Sequence, residues 1–345
     1  MSVTIYDVAR EAGVSMATVS RVINGSANVK PSTRKKVLRV IEELGYRPNA
    51  VARGLASKKT TTIGVILPDI SSIFFAELAR GIEDIAAMYH YNIILSSSDQ
   101  NVDKELKLIN NLMEKQVDGL LFLGSAVGEE HRRLFQSSLP VVLVATEDTQ
   151  GELPSVGIDI TRAAYEAVHY FLSGGHTRIG FLTESLQSNL GKQRFAGYAE
   201  ALKAWGIAVD ETLVMEIHPF YERSLKATKT LLSLPKPPTA IFAANDEVAI
   251  GAIHAIQDAG WRVPDDVEVI GFDNTRLAQM VRPMLTSVVQ PLYDIGAVAM
   301  RLLTKLIQQE EVGMKTVILP HRLEFRQSTR SSQQTQQDGS VSKEA

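Results

Sequence analysis

Apolar residues at Ile5, Val8, Ala9 and Ala12 recur at helical spacing with polar positions between them, which predicts a first helix with one core-facing side. Thr4 followed by Asp7 is a carboxylate variant of the capping box that would start it, and Gly13 permits the tight turn that ends it. Val14 plugs the angle to a second helix, capped by Ser15, whose Val19, Val22 and Ile23 point back inward. Met16, Ala17, Thr18, Ser20 and Arg21 are left facing outward. Asn24-Gly25 closes that helix, and a third begins near Pro31, keeps Val37, Ile41 and Leu44 inward and stops at Gly45. The outward face of the second helix is short, hydroxyl-bearing and armed with one guanidinium. Such a face suits close approach to base edges and phosphates in a major groove, although the helical pattern alone also fits an ordinary three-helix subdomain.

From Thr62 onward the pattern changes. Ile63 to Pro68, Asn92 to Leu95, Gly119 to Leu123, Pro140 to Ala145, Arg178 to Leu182, Ala240 to Ala243 and Val267 to Phe272 are short apolar runs bounded by turn residues. Amphipathic helices lie between most of them, so the pattern predicts parallel sheets covered on both faces. About 270 residues exceed one such sheet, and two α/β lobes follow, with crossings near Asp159 to Thr161 and Gln290 to Asp294. The predicted divisions are a headpiece at 1–47, a linker at 48–61 and a two-lobed core at 62–329. Within the core, the first lobe takes about 62–160 and 292–322, and the second 161–291 and 323–329. Residues 330–345 read as a disordered polar tail.

Charge decides between the readings of the headpiece. Residues 1–60 hold 11 Lys or Arg against 4 Asp or Glu, a net of +7, so with −3 for the whole chain the other 285 residues carry −10. Basic charge segregated onto a helical end is the footprint of a polyanion-binding module on an acidic body. The absence of Cys removes disulfides, thiolate catalysis and Cys-ligated zinc, and the seven His show no paired metal spacing. Neither an export signal nor a run of roughly 18 apolar residues is present, so the expected location is cytoplasmic. No cofactor is expected, and the chain shows no Ser/His/Asp arrangement for catalysis.

Two further constellations carry chemistry. Asp69, Arg194, Asn245, Asp246 and Asp273 fall at strand ends or adjacent turns, where a crevice between α/β lobes opens, and a guanidinium with carboxylates and an amide suits a polyhydroxyl ligand. The same groups could equally stitch the lobes or cap helices. On the helix after Gln290-Pro291, Asp294, Val298, Arg301 and Lys305 follow at steps of four, three and four and so form one stripe. Arg301 and Lys305, one turn apart, could share a phosphate; taken alone, such a stripe reads as a solvated helix face.

The chain resembles the LacI/GalR family of bacterial regulators over essentially its whole length. The resemblance rests on YDVAREAGVSMATVSRVING, GYRPNAVARGLAS, IGVILPDISSIFFAELARGIE, AIFAANDEVAIGA and VIGFDNT. It implies a helix-turn-helix headpiece with a hinge helix, a two-lobed α/β core like a type I periplasmic binding protein, and a homodimer on pseudo-palindromic double-stranded DNA operators. The DNA-contacting residues it implies are Thr4, Tyr6, Ser15, Met16, Ala17, Thr18, Ser20, Arg21, Asn28, Tyr46, Asn49, Ala52, Arg53 and Leu55. The linker from Pro48 to Ala56 is too short, with Gly54 costing about 1 kcal/mol, to be helical alone. In the family it pairs across the dimer axis in the minor groove, with Leu55 as an apolar wedge. Such a hinge would fold only at the correct subunit separation, so lobe movements switch operator affinity.

A narrower likeness within the family lies in AMYHYNIILSSSDQ and in TRLAQMVRPMLTSVVQPLYDIGAVAMRLLTK followed by LPHRLEFRQST. It implies a protein corepressor, the phosphocarrier HPr phosphorylated on serine, meeting Arg301 and Lys305, with Tyr89, Tyr293, Asp294 and Arg322 nearby. Glucose 6-phosphate or fructose 1,6-bisphosphate would then be adjunct effectors in the crevice, where Arg194 and Asp273 match the effector-holding positions of sugar-responsive relatives. The alternative is a sugar-inducible repressor of one carbohydrate operon. A transport-type binding protein or an enzyme on the same fold would need an export signal or a catalytic constellation.

Overall fold

The computed structural model describes residues 3–23, 25–46, 59–124, 126–136, 139–146, 148 and 150–330. The chain divides into two compact units, one ending at Thr61 and one beginning at Thr62. In the first, α1 (Ile5–Ala12), α2 (Met16–Ile23) and α3 (Pro31–Leu44) close around Val8, Ala9, Ala12, Val19, Val22, Val37 and Val40. The Asp7 carboxylate accepts the Thr4 backbone N–H at 3.0 Å and the Thr4 hydroxyl at 2.7 Å, and the Ser15 hydroxyl accepts the Thr18 N–H at 3.2 Å. Gly13 and Gly45, both at φ 61, end α1 and α3 in the left-handed conformation that a Cβ disfavours. The pattern of α3 differs from expectation in depth: Val37 and Val40 are buried, while Ile41 and Leu44 lie half-buried at the rim. Short Val and Ala side chains let three brief helices approach closely enough to share so small a core.

The second unit runs β1 (Thr62–Leu67), α4 (Ile73–Met88), β2 (Asn92–Ser97), α5 (Val102–Glu114), β3 (Gly119–Phe122), α6 (Glu129–Phe135), β4 (Val141–Val144) and β5 (Ser155–Gly157). It continues with α7 (Ile160–Ser173), β6 (Ile179–Thr183), α8 (Asn189–Ala204), β7 (Val214–Glu216), α9 (Tyr221–Leu232), β8 (Ala240–Ala243), α10 (Asp246–Asp258) and β9 (Glu268–Asp273). It ends with α11 (Leu277–Met280), β10 (Thr286–Val289), α12 (Leu292–Ile307), β11 (Thr316–Ile318) and β12 (Arg322–Glu324). The strands form two sheets in the orders β2-β1-β3-β4-β5-β11 and β7-β6-β8-β9-β10-β12. Every described pairing is parallel except β10 with β12. In each sheet the chain first winds outward and then reverses, leaving a switch point at the carboxyl ends of the strands.

The five strands that the hydrophobic pattern does not predict, β5, β7, β10, β11 and β12, are only three or four residues long. In β10 the buried Thr286 and Ser287 look polar in sequence, yet their hydroxyls are satisfied by Thr329 and Asp246. The chain passes between the sheets after β5, after β10 and after β11. Arg322 opens β12 of the second sheet, so the expected boundary moves by one residue. Arg330, expected to begin the tail, instead accepts the Tyr170 hydroxyl on its carbonyl, and residues 331–345 lie outside the described residues.

Return of the chain to the first sheet depends on α12 packing against α4 almost backbone to backbone. Gly81 sits beneath the Tyr293 carbonyl and Gly296 beneath that of Leu78, where any Cβ would overlap the oxygen. Gly296→Ala should therefore cost roughly 1–3 kcal/mol or more in urea denaturation. A midpoint unchanged from the unaltered protein would show that the helices can part without penalty.

Candidate functional site

On the first unit, the side chains expected to meet a polyanion form an accessible surface. Tyr6 is 66% exposed and Met16 41%, with Thr4, Ser15, Ala17, Arg21 and Asn28 also exposed. Thr18 and Ser20 are half-buried, and the Thr18 hydroxyl pairs with that of Ser15 at 2.9 Å, which fixes both on the first turn of α2. Arg21 makes no ion pair among the described residues, in contrast to Arg10, which is bound to Asp7 at 2.8 Å. Tyr46 is half-buried against the headpiece core. Asn49, Ala52, Arg53 and Leu55 lie outside the described residues.

A second surface lies on α12. Its inner side buries Leu292, Ile295, Ala299, Met300, Leu302 and Leu303, which leaves Tyr293, Asp294, Arg301 and Lys305 exposed along the opposite face. Neither Arg301 nor Lys305 has a carboxylate partner among the described residues, so two cations one turn apart stand uncompensated. The Tyr293 hydroxyl donates to Asp84 on α4 at 3.1 Å. Tyr89 follows the last turn of the same α4 and is 40% exposed, whereas Arg322 belongs to β12 in the other sheet and pairs with Glu324 at 3.3 Å.

The third group gathers at the carboxyl ends of the second sheet. Arg194 on α8 is 94% buried, pairs with Glu184 just past β6, and lies over the Phe272 ring with its guanidinium carbon 4.8 Å from the centroid. Its Nε has no hydrogen-bond partner among the described residues. Asp273, at the end of β9, accepts the Gln290 carboxamide N–H at 2.7 Å and takes a φ of 98, with Asn274 beside it at 53. Non-glycine residues held in that region mark a backbone constrained by its surroundings, here by Ser287 on the Asn274 N–H and Arg326 on its side chain. Burial raises the Asp273 carboxyl to about 6; Arg194 and Gln290 oppose the rise, while Glu184 and, from α4 in the first lobe, Glu77 add to it.

The remaining expected crevice residues are engaged locally. Asn245 caps α10 by accepting the Val248 N–H at 2.8 Å, and Asp69 accepts the Ser71 N–H at 2.8 Å. Asp246, 1% exposed, offers a ligand no surface: it accepts the Thr275 N–H and hydroxyl at 2.6 and 2.9 Å and the Ser287 hydroxyl at 2.6 Å. Burial, followed by the nearby Asp273 charge, pushes it to about 8. Sequence reasoning missed Glu184, Gln290 and Glu77. Glu184 follows a predicted strand and could have been found by position, but Gln290 follows an unpredicted strand, and Glu77 needs the lobes brought together.

The model for bacterial regulatory proteins of the lacI family matches residues 4–49, and that for a periplasmic binding protein-like domain matches 168–329. Catabolite control protein A of Priestia megaterium is 60% identical over 96% of this chain and 100% of its own length; that of Staphylococcus epidermidis is 51% identical over 95% and 100%. Among solved structures, the transcription regulator CcpA of Lactococcus lactis superposes with a TM-score of 0.73 at 43% identity, covering 78% of this chain and 99% of its own. The Lac repressor dimer bound to operator and the anti-inducer ONPF superposes with a TM-score of 0.87 at 28% identity, covering 96% and 100%.

The buried carboxyls carry a pH signature. Both Asp246 and Asp273 have folded values, about 8 and about 6, above the ordinary 3.8, so folding favours their protonated forms. The stability this contributes is complete below the ordinary value and is lost as pH rises through the folded values. The thermal midpoint of the unit from Thr62 should therefore fall as pH rises from about 4 towards 8, and Asp246→Asn should flatten the fall. An equal slope in the variant would assign the effect to other groups.

Proposed function

The chain belongs to the lacI family of bacterial regulatory proteins and is a DNA-binding transcription regulator, not an enzyme, and from that premise we propose that it governs carbon catabolite repression and activation. It binds pseudo-palindromic double-stranded operators as a cytoplasmic homodimer, with serine-phosphorylated HPr as corepressor. The observation that carries this reading is the α12 face, where Arg301 and Lys305 stand exposed one turn apart without a carboxylate partner. A phosphoserine would meet a bidentate fork and a point charge there, and Tyr293, Asp294, Tyr89 and Arg322 would flank the docked protein. Ser15, Met16, Ala17, Thr18, Ser20 and Arg21 of α2, with Thr4, Tyr6, Asn28 and Tyr46, are the proposed operator contacts among the described residues. The domain boundaries given above belong to the same reading, and no cofactor enters it.

Arg194 and Asp273 form the proposed effector position in the crevice. Glu184 pairs with the Arg194 guanidinium, and Glu184 and Glu77 both add negative charge at Asp273, which supports glucose 6-phosphate and fructose 1,6-bisphosphate as adjuncts and not as the main signal. One observation favours the alternative, a sugar-inducible repressor: the buried Arg194 Nε has no acceptor among the described residues, and a sugar hydroxyl would supply one.

Fluorescence anisotropy with labelled operator at fixed salt separates the readings. Tightening with serine-phosphorylated HPr supports the first, and weakening with a free sugar alone supports the second. Arg301→Ala should reduce the corepressor's effect about tenfold or more, as expected for charge-assisted hydrogen bonds, and leave corepressor-free binding unchanged. An equal loss in corepressor-free binding would assign Arg301 a structural role. Arg21→Ala should weaken operator binding without lowering the melting temperature of the headpiece; a marked drop in that temperature would contradict an outward-facing role.

A further inference from the structure

Tyr293 is the one aromatic side chain on the exposed face of α12, and its ring is held from a neighbouring helix. Its hydroxyl donates to Asp84 Oδ2 at 3.1 Å across 209 residues of sequence. Asp84 is in turn gripped by Arg80, one turn earlier on α4, whose Nη2 lies 2.9 Å from Oδ1 and whose Nε lies 3.3 Å from Oδ2. This is a two-pronged grip of a planar guanidinium on a carboxylate, which restricts rotation about the Asp84 side chain more than a single contact would. Arg80 also approaches Glu83 at 3.8 Å.

The backbone beneath Tyr293 is pinned by the same helix. Its carbonyl sits directly over Gly81, and an ideal Cβ at that position would lie 3.0 Å from the Ala297 nitrogen. Backbone and side-chain hydroxyl of Tyr293 are thus both referred to α4, one through close packing and one through Asp84. A tyrosine that is 45% exposed would otherwise sample several rotamers, and ordering it on binding would cost affinity.

We propose that Asp84, locked by Arg80, is a positioning residue that holds the Tyr293 ring in the orientation a docking protein meets on α12, so that the pair sets affinity for that protein without touching the operator. The inference rests on the reading of α12 as the corepressor surface. The same hydrogen bond raises the Tyr293 phenol above its ordinary value, since ionisation would place a phenolate against the Asp84 carboxylate, and so supplies an independent readout.

The test uses the full-length protein with serine-phosphorylated HPr as the probe. Asp84→Ala and Tyr293→Phe should each weaken HPr binding by about three- to tenfold, the range of one hydrogen bond, and the double variant should lose little more than either alone. Arg80→Ala should give a smaller loss in the same direction. Corepressor-free operator binding should stay as in the unaltered protein for all of them. Ultraviolet titration should show the Tyr293 phenol, assigned by its absence in Tyr293→Phe, ionising at lower pH once Asp84 is Ala. Additive losses, or unchanged HPr affinity in well-folded variants, would overturn the inference. Failure of the unaltered protein to bind the phosphoprotein would overturn the reading of the surface instead, and a phenol unmoved in Asp84→Ala would overturn the positioning role by itself.

Discussion

The close contact of α4 with α12 is the constraint on which the large unit depends. The chain leaves the first sheet after β5, builds most of the second, and must come back; α12 is the segment that returns, and it can lie against α4 only because Gly81 and Gly296 remove the side chains that would hold the backbones apart. With that contact made, Ile295, Ala299, Met300 and Leu303 of α12 join Leu78 and Ile82 of α4 in a single core with β1, β3 and β4. The opposite side of α12 is thereby forced outward. Its charged residues are exposed because the apolar face takes the burial, and among the described residues neither Arg301 nor Lys305 forms an ion pair there.

A different balance governs the second sheet. Its carboxyl end gathers Glu184 and Asp273 beside Arg194, with Asp246 next to Asp273, and water is largely excluded from it. Carboxylates in such a place are tolerated only through protons, hydrogen bonds or a paired cation. Here hydrogen bonds and a paired cation both occur: Asp246 takes Thr275 and Ser287, Asp273 takes Gln290, and Glu184 takes Arg194. Because Gln290 lies on the crossing that leads into α12, the bond that satisfies Asp273 also ties the second sheet to the segment returning to the first. Polar satisfaction and the connection between lobes are therefore one structural device.

Charge segregation gives the protein its division of labour. An excess of basic groups before residue 60 suits a polyanion, while the acidic remainder repels nucleic acid. Membership of a family of transcription regulators accords with that separation, since the basic end is the part that matches the lacI-family model. The periplasmic-binding-like core is shared by proteins of other functions, so the regulator is recognised by its headpiece and by relatives similar over the whole chain, not by the core fold.

What the amino-acid sequence determined by itself was everything local. Helix starts at Thr4, Ser15 and Pro31, stops at Gly13 and Gly45, and the longer strands are written in side chains that act within a few residues of their own position. The charge asymmetry and the stripe of Arg301 and Lys305 are equally local, since composition and helical spacing suffice to reveal them. Tertiary structure alone decided the pairings between different elements: Arg194 with Glu184, Asp273 with Gln290, and Tyr293 with Asp84. It also decided that Asp246, which looks like a crevice ligand in sequence, is a sealed support, and that short strands such as β10 exist. The physical reason is that hydrogen bonding and burial of these groups depend on partners supplied by other elements, and no pattern along the chain encodes which carboxylate will be shut away from water.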